Sequence, residues 1–278
     1  MGNVRTLAKV ATRKGDAGHP LPNIFSAWEL WKFRPRRAQV TEVVGPPGGG
    51  KSALALYYCI RQAERHDITA LYFSADTDDF TVAKRACATL LREDQDAIEE
   101  RLNSYDPAMT ETLAPLSSKI RFSFETDPDY EHMEREVIAF EAMFGDYPDI
   151  IVVDNLMNVN TDGLDEWAGM KEVTKACHRL ARQTGSAVFI LHHANESSIK
   201  NSVMPAKRAD IAGKVAQMPE NILTVALDPA QGVIRMAAVK NRTGPSDPNA
   251  ESYMELPIDL GRMLIYNGIQ DQRDGIPA

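Results

Sequence analysis

Gly45-Pro46-Pro47-Gly48-Gly49-Gly50-Lys51-Ser52 decides the reading of this chain. The octet fits GxxxxGK[ST] and stands between Val40 to Val44, which reads as a short strand, and Lys51 to Arg65, which reads as a helix. Glycines let successive backbone N–H groups turn toward phosphate oxygens, and the N-terminus of the following helix adds its positive dipole. Lys51 can then reach the β and γ oxygens of a nucleoside triphosphate, and Ser52 can ligate Mg²⁺. A glycine-rich turn without a ligand is the alternative, and the strand before it and the helix after it weigh against that.

Outward from the octet, strand-sized apolar runs alternate with helix-length segments. Thr69 to Ser74, Lys119 to Phe124, Asp149 to Asp154 and Ser186 to Leu191 read as strands. Phe80 to Arg92, Tyr130 to Phe144 and about Asp165 to Gln183 read as helices. Such alternation implies an α/β fold, with a mostly parallel central sheet flanked by helices on both faces. Tyr105 to Ser118, which contains Pro and Ser, reads as a connector or irregular insertion. A polar, partly basic segment follows Leu191 as far as about Gln217. Beyond it Asn221 to Leu227, Gly232 to Val239 and Tyr253 to Ile258 read as an antiparallel extension of the same sheet.

A chain of 278 residues is long enough for one large α/β core. Its 31 Lys+Arg against 39 Asp+Glu give a formal net charge of −8, so there is no global basic field for nucleic acid or an anionic membrane, and any nucleic-acid contact must be local. With 44% hydrophobic and 25% charged residues the composition is that of a globular protein, neither disordered nor membrane-spanning. The N-terminal stretch is basic but lacks the apolar centre of a signal peptide. Cys59, Cys87 and Cys177 show no paired or zinc-type spacing and read as reduced, buried thiols of a cytoplasmic protein.

Two acids complete the nucleotide reading. Asp154 ends the run Ile150-Ile151-Val152-Val153, which sets a carboxylate at the carboxyl edge of a central strand, facing the phosphate loop, where it can orient magnesium. A cap on the following turn is the plainer alternative. Asn155 follows, so there is no acid doublet and the general base must come from elsewhere. Asp76, in Tyr72-Phe73-Ser74-Ala75-Asp76-Thr77-Asp78-Asp79, can polarise the attacking water, with Asp79 capping the helix that begins at Phe80.

Taken in order, the phosphate loop, YFSADTDDFTVAKRACATLL, DIIVVDN, FILHHANES and AAVKNRTGP resemble successive motifs of the RecA-like P-loop ATPase core of DnaB-type and RepA-type hexameric replicative helicases. The resemblance spans about Asn23 to Leu260. It implies that the residue matching Asp76, usually a glutamate in the family, activates water. It also implies that His193, at the end of Leu191-His192-His193-Ala194, senses the γ-phosphate, with His192 a packed core residue. Lys240 and Arg242, in Lys240-Asn241-Arg242-Thr243-Gly244-Pro245, match a lysine and an arginine finger delivered into the nucleotide site of the neighbouring subunit. Solvated residues at the end of an edge strand are the alternative reading of that pair.

The same resemblance sets DNA-contacting loops in Asn195 to Met218, where Lys207, Arg208 and Lys214 are the candidates, with Lys200 nearby. A solvated polar loop is the competing reading. Ile24-Phe25 and Trp28-Glu29-Leu30-Trp31 recur at helical spacing, either as a helix on the chain's own core or as a linker docking on the adjacent subunit. The expected organisation is an arm or linker over 1–37, a RecA-like motor over 38–262 and a tail over 263–278. There is no room for the N-terminal helical domain of DnaB, so the motor is compact, RepA-like or phage-type.

The function so implied is an ATP-dependent, Mg²⁺-using hexameric translocase on single-stranded DNA, a replicative helicase with a possible loader, primase or other replisome partner. A RecA/RadA-like recombination or annealing ATPase is the first alternative. A nucleotide-gated regulatory or assembly ATPase that does not grip DNA is the second.

Overall fold

The computed structural model describes residues 18–161, 163–195 and 203–267, with the side chains of 213 and 214 outside that description. The nine strands of the described residues are β1 Val40–Gly45, β2 Ala70–Ser74, β3 Ile120–Ser123, β4 Ile150–Asp154, β5 Ala187–His193, β6 Asn221–Asp228, β7 Val233–Asn241, β8 Met254–Asp259 and β9 Leu264–Ile265. They form one sheet in the order β3-β2-β4-β5-β1-β6-β7-β8-β9. Pairing is parallel from β3 to β6 and antiparallel from β6 to β9.

The helices are α1 Ser26–Leu30, α2 Lys51–His66, α3 Asp79–Leu91, α4 Gln95–Asn103, α5 Pro107–Ser117, α6 Tyr130–Phe144 and α7 Glu166–Thr184. Strands β1, β2 and β4 are buried at every position, because apolar layers cover both faces of the sheet. Val43, Tyr72, Val152 and Phe189 pack on the face covered by α1, α2 and α3. Their strand neighbours Val44, Phe73, Val153 and Ile190 pack on the opposite face, under α6 and α7. The change of side with each residue is the strand period of two.

Local signals set the helix ends. Asp129 and Asp165 accept the backbone N–H groups of His132 and Ala168, and Gly145 and Gly185 close α6 and α7 in the left-handed conformation. The cap of α3 is Asp78, which accepts from Thr81 N–H at 2.8 Å, and not Asp79, which is the first helical residue. The side chain three residues before an N–H is the one that reaches it, and Thr81 is the donor here.

The segment expected to be irregular is helical. Asp106 caps α5, with Pro107 at its first position, where a missing N–H costs nothing. Together α4 and α5 bury Ile98 and Met109 against Cys87, Ala88 and Met263, a small cluster beside the main core. Pro115 within α5 and short apolar spacing hid this from a reading by periodicity.

Residues 18–37 pack on this chain's own sheet. Leu21, Ile24, Phe25, Trp28 and Phe33 are buried, and Asn267 accepts from Ser26 N–H through Oδ1 and donates to the Ile24 carbonyl, tying the start of the described chain to its end. All three cysteines are buried and free, and burial pushes Cys59 and Cys177 up to about 12. No helix among the described residues is long and apolar enough to cross a membrane.

Candidate nucleotide site and the opposite sheet edge

The parallel strands bring the candidate residues to one edge. β1 runs into the loop Gly45 to Ser52, Ser74 pairs with Asp154, and Gly45 pairs with His193. The loop depends on its glycines, as two of them show. A Cβ at Gly45 would lie 2.5 Å from the Val225 carbonyl oxygen, and Gly50, with φ of 88°, is left-handed where it caps α2.

Lys51 is buried and donates to the carbonyls of Gly45 and Pro46 at 3.1 and 2.9 Å, with His193 Nδ1 at 3.3 Å. Burial lowers Lys51 to about 8, against the pull of Asp154 and Asp76. Asp154 is 4% exposed and accepts the Tyr72 hydroxyl at 2.8 Å and a hydrogen bond from Ser52. Burial raises Asp154 from the usual carboxylate range, and those two donors oppose the shift.

The site thus offers a Cβ-free cradle, a buried ammonium, and a hydroxyl already paired with a carboxylate. These fit a magnesium–nucleotide complex, in which Ser52 and Asp154 would hold the metal and the loop would hold the phosphates. No cluster of three His, Cys, Asp or Glu forms among the described residues, and a site completed by phosphate oxygens and water needs none.

Asp76 stands beside this group, held by the amides of Asn155 and Asn158. The two histidines part company because successive strand residues face opposite ways. His193 turns to Lys51, and His192 turns to the other face, where its Nδ1 lies 2.7 Å from Glu42 Oε1 with both side chains fully buried. His192 is thus buried in the core, as expected, and has Glu42 as its hydrogen-bond partner there.

Lys240 and Arg242 are at the other edge. β7 is antiparallel, and its register sets Asn241 beside Asn221, which pairs with Thr41 at the start of β1. Thr41 lies four residues before Gly45, about 13 Å at ~3.3 Å per residue. Lys240 donates to the carbonyls of Ala216 and Gln217, and burial with Arg208 beside it holds the amine below the ordinary lysine range. Arg242 is 67% exposed and ion-pairs at 3.3 Å with Glu220, which also accepts from Val40 N–H. The turn that carries Arg242 is buttressed from outside the sheet, since Asn241 donates to the Trp31 carbonyl at 2.9 Å and Gly244 lies against the same group.

Lys207 is exposed, and Arg208 donates to Ala216, the carbonyl that Lys240 also uses, so Arg208 joins the Lys240 group. Lys200 and the side chain of Lys214 lie outside the described residues.

Five supporting residues escaped the sequence reading: Tyr72, Asn155, Asn158, Glu220 and Asn241. Their signals were present but weak: a tyrosine two residues before the end of an apolar strand, two asparagines three apart after Asp154, and an acid immediately before a strand.

The sequence profile of the AAA domain family matches residues 27–198. The gene 65 protein of Mycobacterium phage L5 is 33% identical over 253 residues, covering 87% of this chain and 91% of that one. A solved DnaB-like replicative helicase, described with its interactions with primase, superposes with a TM-score of 0.76 at 13% identity; the match covers 94% of this chain and 64% of that one. A second solved structure, an isolated ATPase domain, superposes with a TM-score of 0.75 at 13% identity, covering 94% of this chain and 95% of that one. The chain accordingly belongs to the AAA domain family and has the RecA-like core fold of DnaB-type helicases.

Proposed function

We propose that this chain is a cytoplasmic, ATP-driven translocase on single-stranded DNA that works as a ring, a hexamer, and serves as a replicative helicase. ATP binds through Gly45 to Ser52. Ser52 and Asp154 hold Mg²⁺, which supplies charge neutralisation at the β- and γ-phosphate oxygens. Lys51 holds the γ-phosphate, Asp76 takes the proton of the attacking water, and His193 reads the presence of the γ-phosphate. Lys240 and Arg242 of each copy serve the nucleotide of the next, and the finger spreads the developing charge. Lys207, Arg208 and Lys214 track the strand backbone, with affinity concentrated where several copies converge.

What supports this reading above all is the division of cations between two sheet edges. Lys51 faces the phosphate loop, whereas the exposed Arg242 lies at the far edge of its own sheet, away from that loop. Hydrolysis then depends on assembly. The motor extends beyond the expected 38–262 at both ends, because Leu21 to Phe33 and the strand β9 pack into its core. A loader or a primase-like partner is the expected contact outside the ring, by analogy with the DnaB-like helicase, whose description names primase.

Purified full-length chain given a forked duplex and ATP tests the proposal. Unwinding, with ATPase stimulated by single-stranded DNA, is expected. ATPase indifferent to DNA would transfer the chain to the regulatory class, and filaments that exchange strands without unwinding would transfer it to the recombination class.

A further inference from the structure

We infer that Asn155 and Asn158 are positioning residues that aim the Asp76 carboxylate at the attacking water, an inference that rests on Asp76 being the base. Asp76 leaves the end of β2 on a side chain one methylene shorter than glutamate, so its reach depends on its torsion angles. Those angles are held from both sides: Asn155 Nδ2 donates to Oδ2, and Asn158 Nδ2 donates to Oδ1 at 2.7 Å. One donor would leave the carboxyl plane free to rotate, and a donor on each oxygen does not. Each oxygen keeps a further lone pair for water.

Both asparagines come from the turn that directly follows Asp154, so the residue expected to hold the metal and the clamp on the base are one continuous piece of chain. Asn155 is 4% exposed, and each end of its amide is engaged. Its Oδ1 accepts Met157 N–H at 2.8 Å, and its Nδ2 serves Asp76 while lying 3.5 Å from His193 Nε2. Asp76, Asn155, His193 and Lys51 therefore form one connected set, with Asp154 facing both Lys51 and Asp76.

The clamp contributes orientation. In the step it serves, a water O–H bond breaks and the proton goes to a free lone pair of Asp76. The water oxygen bonds to the γ-phosphorus as the bond from that phosphorus to the β,γ-bridging oxygen breaks, leaving ADP and inorganic phosphate.

Two variants separate positioning from mere structure. Asn155→Asp keeps the acceptor that Met157 N–H needs but faces Asp76 with a second carboxylate. Asn158→Ala removes a donor from a half-buried site. Steady-state ATPase of the full chain, measured against ATP concentration and pH, should show kcat lowered about ten- to a hundredfold in each, with KM for ATP within about threefold and Tm unchanged. Asp76→Asn serves as the reference. If it is inactive while both asparagine variants keep wild-type kcat, the clamp is structural and this inference is overturned. If Asp76→Asn itself keeps wild-type kcat, the base assignment falls and the inference falls with it.

Discussion

At the carboxyl edge of the sheet almost every polar group is turned inward and answered within the chain. Lys51 is bound to the loop carbonyls, Asp154 to Tyr72 and Ser52, and Asp76 to two asparagines. At the opposite edge, Lys240 rests on two carbonyls of its own chain, and Arg242, 67% exposed, pairs its guanidinium with Glu220 on a turn buttressed on Trp31. The first edge is preorganised to receive a ligand that enters it. The second is preorganised to present a cation to something outside. Under the proposed function, a site divided in this way makes chemistry contingent on a second copy, and the two edges should fail in different ways.

The largest effect is expected at the inward edge. Lys51→Ala should abolish ATPase activity, by about a thousandfold or more, and weaken ATP binding in a direct titration. Arg242→Ala should lower kcat about a thousandfold while ATP binding persists. The decisive form mixes the two. Rings doped with both variants contain interfaces where an intact Lys51 meets an intact Arg242 of the next copy, so activity should reappear on mixing two inactive proteins. Continued silence in the mixture would break the comparison of the two edges.

Smaller effects sharpen it. Glu220→Gln keeps the acceptor for Val40 N–H but removes the charge paired with the Arg242 guanidinium. It should reduce kcat by less than about tenfold, because the Arg242 half of the pair is exposed and screened. At the inward edge, Lys51 sits near 8 because burial disfavours its charge, and a bound triphosphate restores that charge. Nucleotide binding at pH 8 should therefore take up about half a proton per site, and progressively less as pH falls below that value. Calorimetry in buffers of different ionisation enthalpy measures it, and proton release in place of uptake would contradict the sign. The smallest effect belongs to α5, remote from both edges, where Asp106→Ala should lower Tm slightly and leave kcat as it was.

The core strands and the phosphate loop were legible because each carries its reason in local sequence. Val40 to Val44 and Ile150 to Val153 are apolar enough to be buried on both faces, and the glycines of the loop are demanded by a close approach and a positive φ. Tyr130 to Phe144 was legible as a helix to the residue, from its periodicity. The α5 helix was not, since Pro107 and Pro115 read as breakers until Asp106 is seen to cap it. Candidate site residues with a motif of their own were visible, but the residues that steady them were not. Tyr72, Asn158 and Glu220 act on partners between 22 and 82 positions away, and no local pattern encodes such a pairing.

Sequence by itself determined the order of strands β1 to β8 and of the helices α2, α3, α6 and α7, the phosphate loop, the acid that ends β4 and the presence of a lysine and an arginine at the end of a late strand. All of these rest on interactions within a few residues, where hydrophobic period and backbone preference act. Only the tertiary structure decided which histidine faces Lys51, which amides hold Asp76, and that Lys240 and Arg242 lie across the sheet from their own phosphate loop. Those outcomes follow from strand register and direction, which are set by packing between segments far apart in the chain. The reversal of β7 against the parallel strands is what carries Lys240 and Arg242 to the edge opposite the phosphate loop.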